Sequence, residues 1–150
     1  MKKPFLTSIL GALLSAVFSI STLAGESPSY KIENYGIPKS LAGKAGDPVM
    51  GKKVAINRKQ GNCLACHVMP IPDQPFQGNV GPPLAGVGKR LTEAQIRLRI
   101  VDPKVFNPMT IMPSFYKSQG FHRVMKKFQG KTVLTAQQVE DVVAYLMTLK

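Results

Sequence analysis

Cys63-Leu64-Ala65-Cys66-His67 is the stretch on which the reading of this 150-residue chain turns. Two thiols separated by two residues, with an imidazole directly after the second, can form thioethers to both vinyl groups of a haem while the histidine reaches the iron. That pattern is a c-type haem attachment site. These are the only cysteines in the chain, so attachment leaves no free thiol. Two other chemistries use paired cysteines. A redox dithiol usually sits in a βαβ context, which the sequence lacks. A zinc site needs a second pair of ligands, and only His122 remains to supply one.

The first residues predict export. Lys2 and Lys3 precede an uncharged, mostly apolar run from Phe5 to Ile20, and the small residues Thr22 and Ala24 suit a cleavage site after Ala24. Residues 1–24 are therefore expected to be a signal peptide. A retained membrane anchor is the alternative, but the run is short of the ~20 residues that span a bilayer comfortably. It is also diluted by Thr7, Ser8, Gly11 and Ser15. Both readings put the rest of the chain on the outer side of the inner membrane, in the periplasm, where bacterial haem attachment takes place.

About 126 residues remain after cleavage, enough for one domain. A chain of that size buries only about two-thirds of its unfolded surface, so a covalently held apolar cofactor makes up much of the core. The formal charge of +12 falls to +10 without Lys2 and Lys3. Such a surface suits an acidic docking partner and fast encounter at low salt; a generic solvated basic face reads equally well. Nucleic acid is not expected as a partner. The basic residues are scattered as Lys52/Lys53, Arg58/Lys59, Lys89/Arg90, Arg97/Arg99 and Lys126/Lys127, with no accompanying binding motif.

Residues 25–46 are rich in Gly, Pro, Ser and Lys and read as an extended N-terminal arm; residues 47–150 form the folded domain. Asp47-Pro48 is an N-cap followed by a first-turn proline, predicting a helix from Val49 to Lys59 with Met50, Val54 and Ala55 on one face. Prolines and glycines from Val68 to Val87 predict a loop around the cofactor. Thr92-Glu93-Ala94-Gln95 is a capping box. After it, Ile96, Leu98 and Ile100 alternate with Arg97 and Arg99 in a strand-like way, but the box and the closing Asp102-Pro103 favour a helix. A second box, Thr135-Ala136-Gln137-Gln138, opens a last helix whose Val139, Val142, Val143, Leu146 and Met147 share a face. The expected class is all-α, with helices and long irregular loops wrapped around the haem.

A second axial ligand is sought among Met50, Met69, Met109, Met112, Met125, Met147 and His122. Met50 and Met147 belong to apolar helix faces, and Met69 is too near His67 to cross to the other side of the haem. Met112 lies in the proline-bracketed loop Asn107-Pro108-Met109-Thr110-Ile111-Met112-Pro113, held extended by the following proline. It is the expected ligand, with Met109 and His122 as alternatives. A carbonyl near Pro82, in Gly81-Pro82-Pro83-Leu84, is placed to accept from the free ring nitrogen of His67; a simple turn explains the same residues. Tyr116, Arg90 and Arg123 are candidates to reach haem propionates, though surface positions suit each of them as well.

Together these motifs resemble a class I cytochrome c across the mature domain. More narrowly, residues 57–67, 78–84 and 110–116 are similar to the SoxX family, the monohaem subunits of sulfur-oxidising SoxAX cytochromes. Lys59 departs from simpler class I carriers, which tend to place an aromatic there. The resemblance implies a heterodimer with a larger SoxA-type subunit, which joins thiosulfate oxidatively to a cysteine of a sulfur-carrier protein (L-cysteine S-thiosulfotransferase). In that scheme this subunit would pass electrons to a downstream cytochrome acceptor. With Cys63 and Cys66 committed to thioethers, no thiolate remains as a nucleophile and no catalytic residue is expected in this chain. The expected role is outer-sphere electron transfer. Its rivals are a free-standing mobile carrier and a haem enzyme or gas-binding module with an open coordination position.

Overall fold

Asp47 opens the first helix as its sequence predicts, accepting the Val49 and Met50 amides on its carboxylate, and Pro48 follows at the first helical position. The computed structural model describes residues 28–150; the expected signal peptide, residues 1–24, lies outside them. Helix α1 runs Pro48–Ile56, α2 Val87–Arg90, α3 Glu93–Val101 and α4 Ala136–Thr148. Short 3-10 turns at Cys63–Ala65, Pro103–Val105 and Lys126–Phe128 punctuate the loops. No β-strand occurs among the described residues, only an isolated bridge between Glu33 and Gly36. The molecule is all-α.

Helix α1 ends three residues before Lys59, because Asn57 turns extended and its amide bonds back to the Val54 carbonyl. Its buried face is Gly51, Val54 and Ala55, and the expected core residue Met50 is instead 44% exposed. Close approach to α4 is the cause. A Cβ on Gly51 would lie 1.8 Å from the Asp141 carbonyl oxygen, so backbone rather than side chain forms this contact.

Both capping boxes close as read. Thr92 and Gln95 exchange bonds at the start of α3, and Thr135 and Gln138 do so at α4. The strand-like alternation in α3 has a helical explanation: Ile96, Leu98, Ile100 and Val101 are buried, and so is Arg97 between them. Helix α4 buries Val139, Val142, Val143 and Leu146, together with Glu140 and Asp141. These two carboxylates serve the neighbouring chain. Glu140 accepts both Arg97 Nε (2.9 Å) and the Leu41 amide (2.9 Å), while Asp141 accepts the Asp47 amide (2.9 Å).

Residues 28–46 therefore lie against α3 and α4. Ile37 is fully buried, its amide bonds to the Ala94 carbonyl at 3.0 Å, and its own carbonyl accepts Arg97 Nη1 at 2.6 Å.

Candidate haem site

The Cys63–Ala65 turn begins at Asn62, which adopts a left-handed conformation with φ of 49°. Gly61 precedes it because a Cβ there would meet the Val54 carbonyl at 2.7 Å. The loop that follows folds back along the cysteine segment through three backbone bonds: Gly78 amide to Leu64 carbonyl (2.8 Å), Gly81 to Cys66 (2.7 Å) and Leu84 to Val68 (2.9 Å). Gln77 stiffens it from within, accepting the Met69 amide and donating to the carbonyls of Ile71 and Gln74.

This arrangement fixes His67. Its Nδ1 lies 2.7 Å from the Pro82 carbonyl oxygen, as the sequence suggested. A carbonyl can only accept, so Nδ1–H is the donor, which in the neutral ring leaves the lone pair on Nε2. Gly81 packs directly on the ring, where a Cβ would come within 2.3 Å of Cε1. Arg90 secures the same loop, donating Nη1 to the Ala85 carbonyl (2.6 Å) and Nη2 to that of Pro83 (3.0 Å).

An apolar cavity of about 450 Å³ opens beside these residues. Cys63 and His67 line it from the cysteine segment, Leu84 and Arg90 from the loop and α2, and Ile96 and Ile100 from α3. Phe106, Val142, Leu146 and Met112 complete much of the wall. Cys66 sits on the same turn, half-buried, but is not among the lining residues. Burial pushes the Cys63 thiol up to about 11. That is opposite to the lowered pKa of a reactive dithiol and leaves the unmodified group protonated at neutral pH.

The other methionines stand elsewhere. Met109 is 86% exposed and Met125 also faces solvent, whereas Met69 is buried and Met147 half-buried against the core. His122 lines a neighbouring depression with Lys104, Lys117 and Lys131, which shares Met112 and Thr110 with the apolar cavity, but His122 does not line the cavity itself. Of the suggested propionate partners, Arg90 borders the cavity, while Tyr116 and Arg123 do not. Arg99 does, and its place was missed. Its guanidinium lies 3.9 Å over the Phe106 ring and bonds the Gln95 carbonyl, and burial lowers its pKa. Its only signal in the sequence was the alternation that also suggested a strand.

The walls fit a haem by chemistry: a largely apolar slot carrying a thiol, an imidazole already oriented by a carbonyl, a thioether, and two arginines at its border. The sequence matches the cytochrome c family over residues 48–150. A crystal structure of SoxXA from P. pantotrophus contains a chain 41% identical to this one, with a TM-score of 0.75, covering 81% of this chain and 94% of that one. The chain belongs to the SoxX family of class I cytochromes c. As a SoxX-family cytochrome it carries one covalently bound haem c, for which its paired cysteines are suited. No curated relative matches the SoxX-family chain in sequence.

Proposed function

We propose that this chain is the electron-transfer subunit of a periplasmic SoxXA-type heterodimer. A larger SoxA-type subunit would carry the sulfur chemistry, the oxidative conjugation of thiosulfate to a cysteine of a sulfur-carrier protein. Joining a thiol to thiosulfate breaks the S–H bond, forms a sulfur–sulfur bond and releases one proton and two electrons, and this subunit passes the electrons one at a time to a downstream cytochrome. Haem c, when bound, supplies the one-electron centre. Cys63 and Cys66 would hold it through thioethers, and His67 and Met112 would supply a nitrogen and a thioether sulfur to its iron.

The observation that carries this reading is that Cys63, His67 and Met112 line one apolar cavity, from which the other methionines stand apart. Each residue has a defined task. Pro82 holds the His67 ring in one orientation through its carbonyl. Leu84, Ile96, Ile100, Val142 and Leu146 exclude water, which favours the less charged state of an enclosed centre. A thioether ligand favours ferrous iron over what a second imidazole would give. With both cysteines committed, no thiolate is left to act as nucleophile. Among the described residues no grouping of His, Cys, Asp and Glu forms another metal site.

Co-expression with a haem maturation system and the larger subunit tests the proposal. A stable red heterodimer with the ferric low-spin thioether signature is expected, and Met112→Ala abolishes that signature. A solitary red monomer would instead support a mobile carrier. Loss of the signature in Met109→Ala alone would move the ligand to Met109, and carbon monoxide binding to the reduced protein at neutral pH would reveal an open position.

A further inference from the structure

The tip of the loop that presents Met112 stands clear of the core, with Met109 86% and Ile111 77% exposed. Met112 packs against the core and Phe115 is buried in it. Polar tethers add to that packing and join the loop to the helix that walls the site. On one side, Lys104 Nζ donates to the Thr110 carbonyl at 2.6 Å and the Met112 amide donates to Thr110 Oγ1 at 3.2 Å. On the other side two side-chain tethers converge on one carboxylate. Asp102, the residue that ends α3, accepts Ser114 Oγ at 2.9 Å and Lys117 Nζ at 2.8 Å, and also caps the next turn through the Lys104 amide. Both Asp102 and Ser114 are buried. Phe115 continues the attachment, donating its amide to the Ile100 carbonyl at 3.0 Å.

From this geometry we infer that Asp102, through Ser114 and Lys117, is the positioning residue that keeps Met112 on the iron. The inference rests on Met112 being the axial ligand. Helix α3 supplies Ile96 and Ile100 to the cavity wall, so a carboxylate at its end ties the loop to the same rigid element that shapes the site. A hydrogen bond to a charged group that is withdrawn from water is stronger than a neutral one. Removal of the charge therefore loosens the loop without altering any residue of the cavity wall.

The test uses the haem-loaded protein and added imidazole, which competes with Met112 for the iron and so reads how easily the loop opens. Asp102→Asn is expected to bind imidazole about tenfold more tightly, in line with losing a charge-assisted bond. Ser114→Ala, which removes a single tether and is the gentler change for folding, is expected to give about threefold. Asp102→Glu should recover part of the wild-type resistance. Wild-type imidazole affinity in both Asp102→Asn and Ser114→Ala overturns the inference. Met112→Ala separates this from the ligand assignment. If that variant loses the thioether signature while the Asp102 and Ser114 variants behave as wild type, only the tether is wrong. If it keeps the signature, the ligand assignment fails and the tether with it.

Discussion

Arg97 is 2% exposed and its partner Glu140 likewise 2% exposed, an arrangement that withdraws two charges from water at considerable cost. Burial opposes ionisation of Arg97, but Glu140 and Glu93 outweigh it and raise the guanidinium pKa. The pair persists because it also bonds the chain: Arg97 reaches the Ile37 carbonyl and Glu140 the Leu41 amide. Glu140→Ala would leave the buried Arg97 with only the exposed Glu93 as counter-charge and is expected to lose about 3 kcal/mol of stability, the low end for breaking a buried pair, measurable by urea unfolding. Asp102 brings a pH dependence. Burial opposes its charge, yet bonds from Lys117 and Ser114 prevail and hold its carboxyl below the ordinary value. Tyr30, whose phenol is pushed up by burial and then by the Asp102 charge, is in its field. A carboxyl with a lowered folded-state pKa stabilises the fold above its unfolded pKa and loses that contribution as pH falls through the folded value. Stability should therefore drop below roughly pH 4, less steeply in Asp102→Asn, as followed by thermal melts. At this scale the sequence was readable where a motif carries the chemistry: the cysteine pair with His67 is contiguous, and Pro82 stands out in a Gly-Pro-Pro-Leu turn 15 residues on. The role of Arg97 depends on Glu140 and Ile37, far away in the chain, and those of Arg99 and Asp102 depend on how loop residues fold back on α3, of which no motif carries a record.

Helices α1 and α4 come close enough for the backbone at Gly51 to meet the backbone of α4. Gly51 lies under the Asp141 carbonyl and the Tyr145 Cβ, and Gly46 sits beneath the Glu140 carbonyl. Gly51→Ala must push two helices apart, and its destabilisation should reach or exceed the top of the ~1–3 kcal/mol range for overpacking. Gly130→Ala is a useful comparison. That position has open space, so only its left-handed φ of 66° should matter, at a cost of about 1 kcal/mol. Denaturant midpoints of the two variants should differ accordingly. Capping boxes made the starts of α3 and α4 legible, since each is a local exchange of hydrogen bonds. The end of α1 and the exposure of Met50 were not, because the apolar pattern cannot register a glycine as a contact residue. Lys59, where simpler class I carriers tend to place an aromatic, lies beyond the end of α1, and the crossing is made by Gly51 and its neighbours.

The whole domain is built around a space it does not fill with its own side chains. At ~24 cal/mol per Å³ of cavity, about 450 Å³ amounts to an upper bound of roughly 11 kcal/mol. A typical domain has only about 5–15 kcal/mol of stability in all. The Cys63→Ser/Cys66→Ser double variant, which cannot attach haem, should therefore keep part of its helical far-ultraviolet dichroism and lose the near-ultraviolet signal of fixed packing. Surface charge acts at the same scale. A mature chain of formal charge +10 should associate with an acidic cytochrome at a rate that falls as salt rises, as stopped-flow mixing would record. The fold class was evident from helices and loops alone, whereas the anchoring of residues 28–46 was not, since their composition reads only as an extended arm and their anchors are α3 and α4.

The three backbone bonds that clip residues 78–84 to the cysteine segment span little of the chain, whereas the loop bearing Met112 joins the site from much farther along it. Closing the shorter circuit costs less entropy, and covalent capture of the cofactor would leave that circuit partly pre-closed even in a disordered polypeptide. The two halves of the binding cleft should then part company under stress in a fixed order, the sulfur side first and the imidazole side last. A partly unravelled molecule would still grip its pigment and could recover without help.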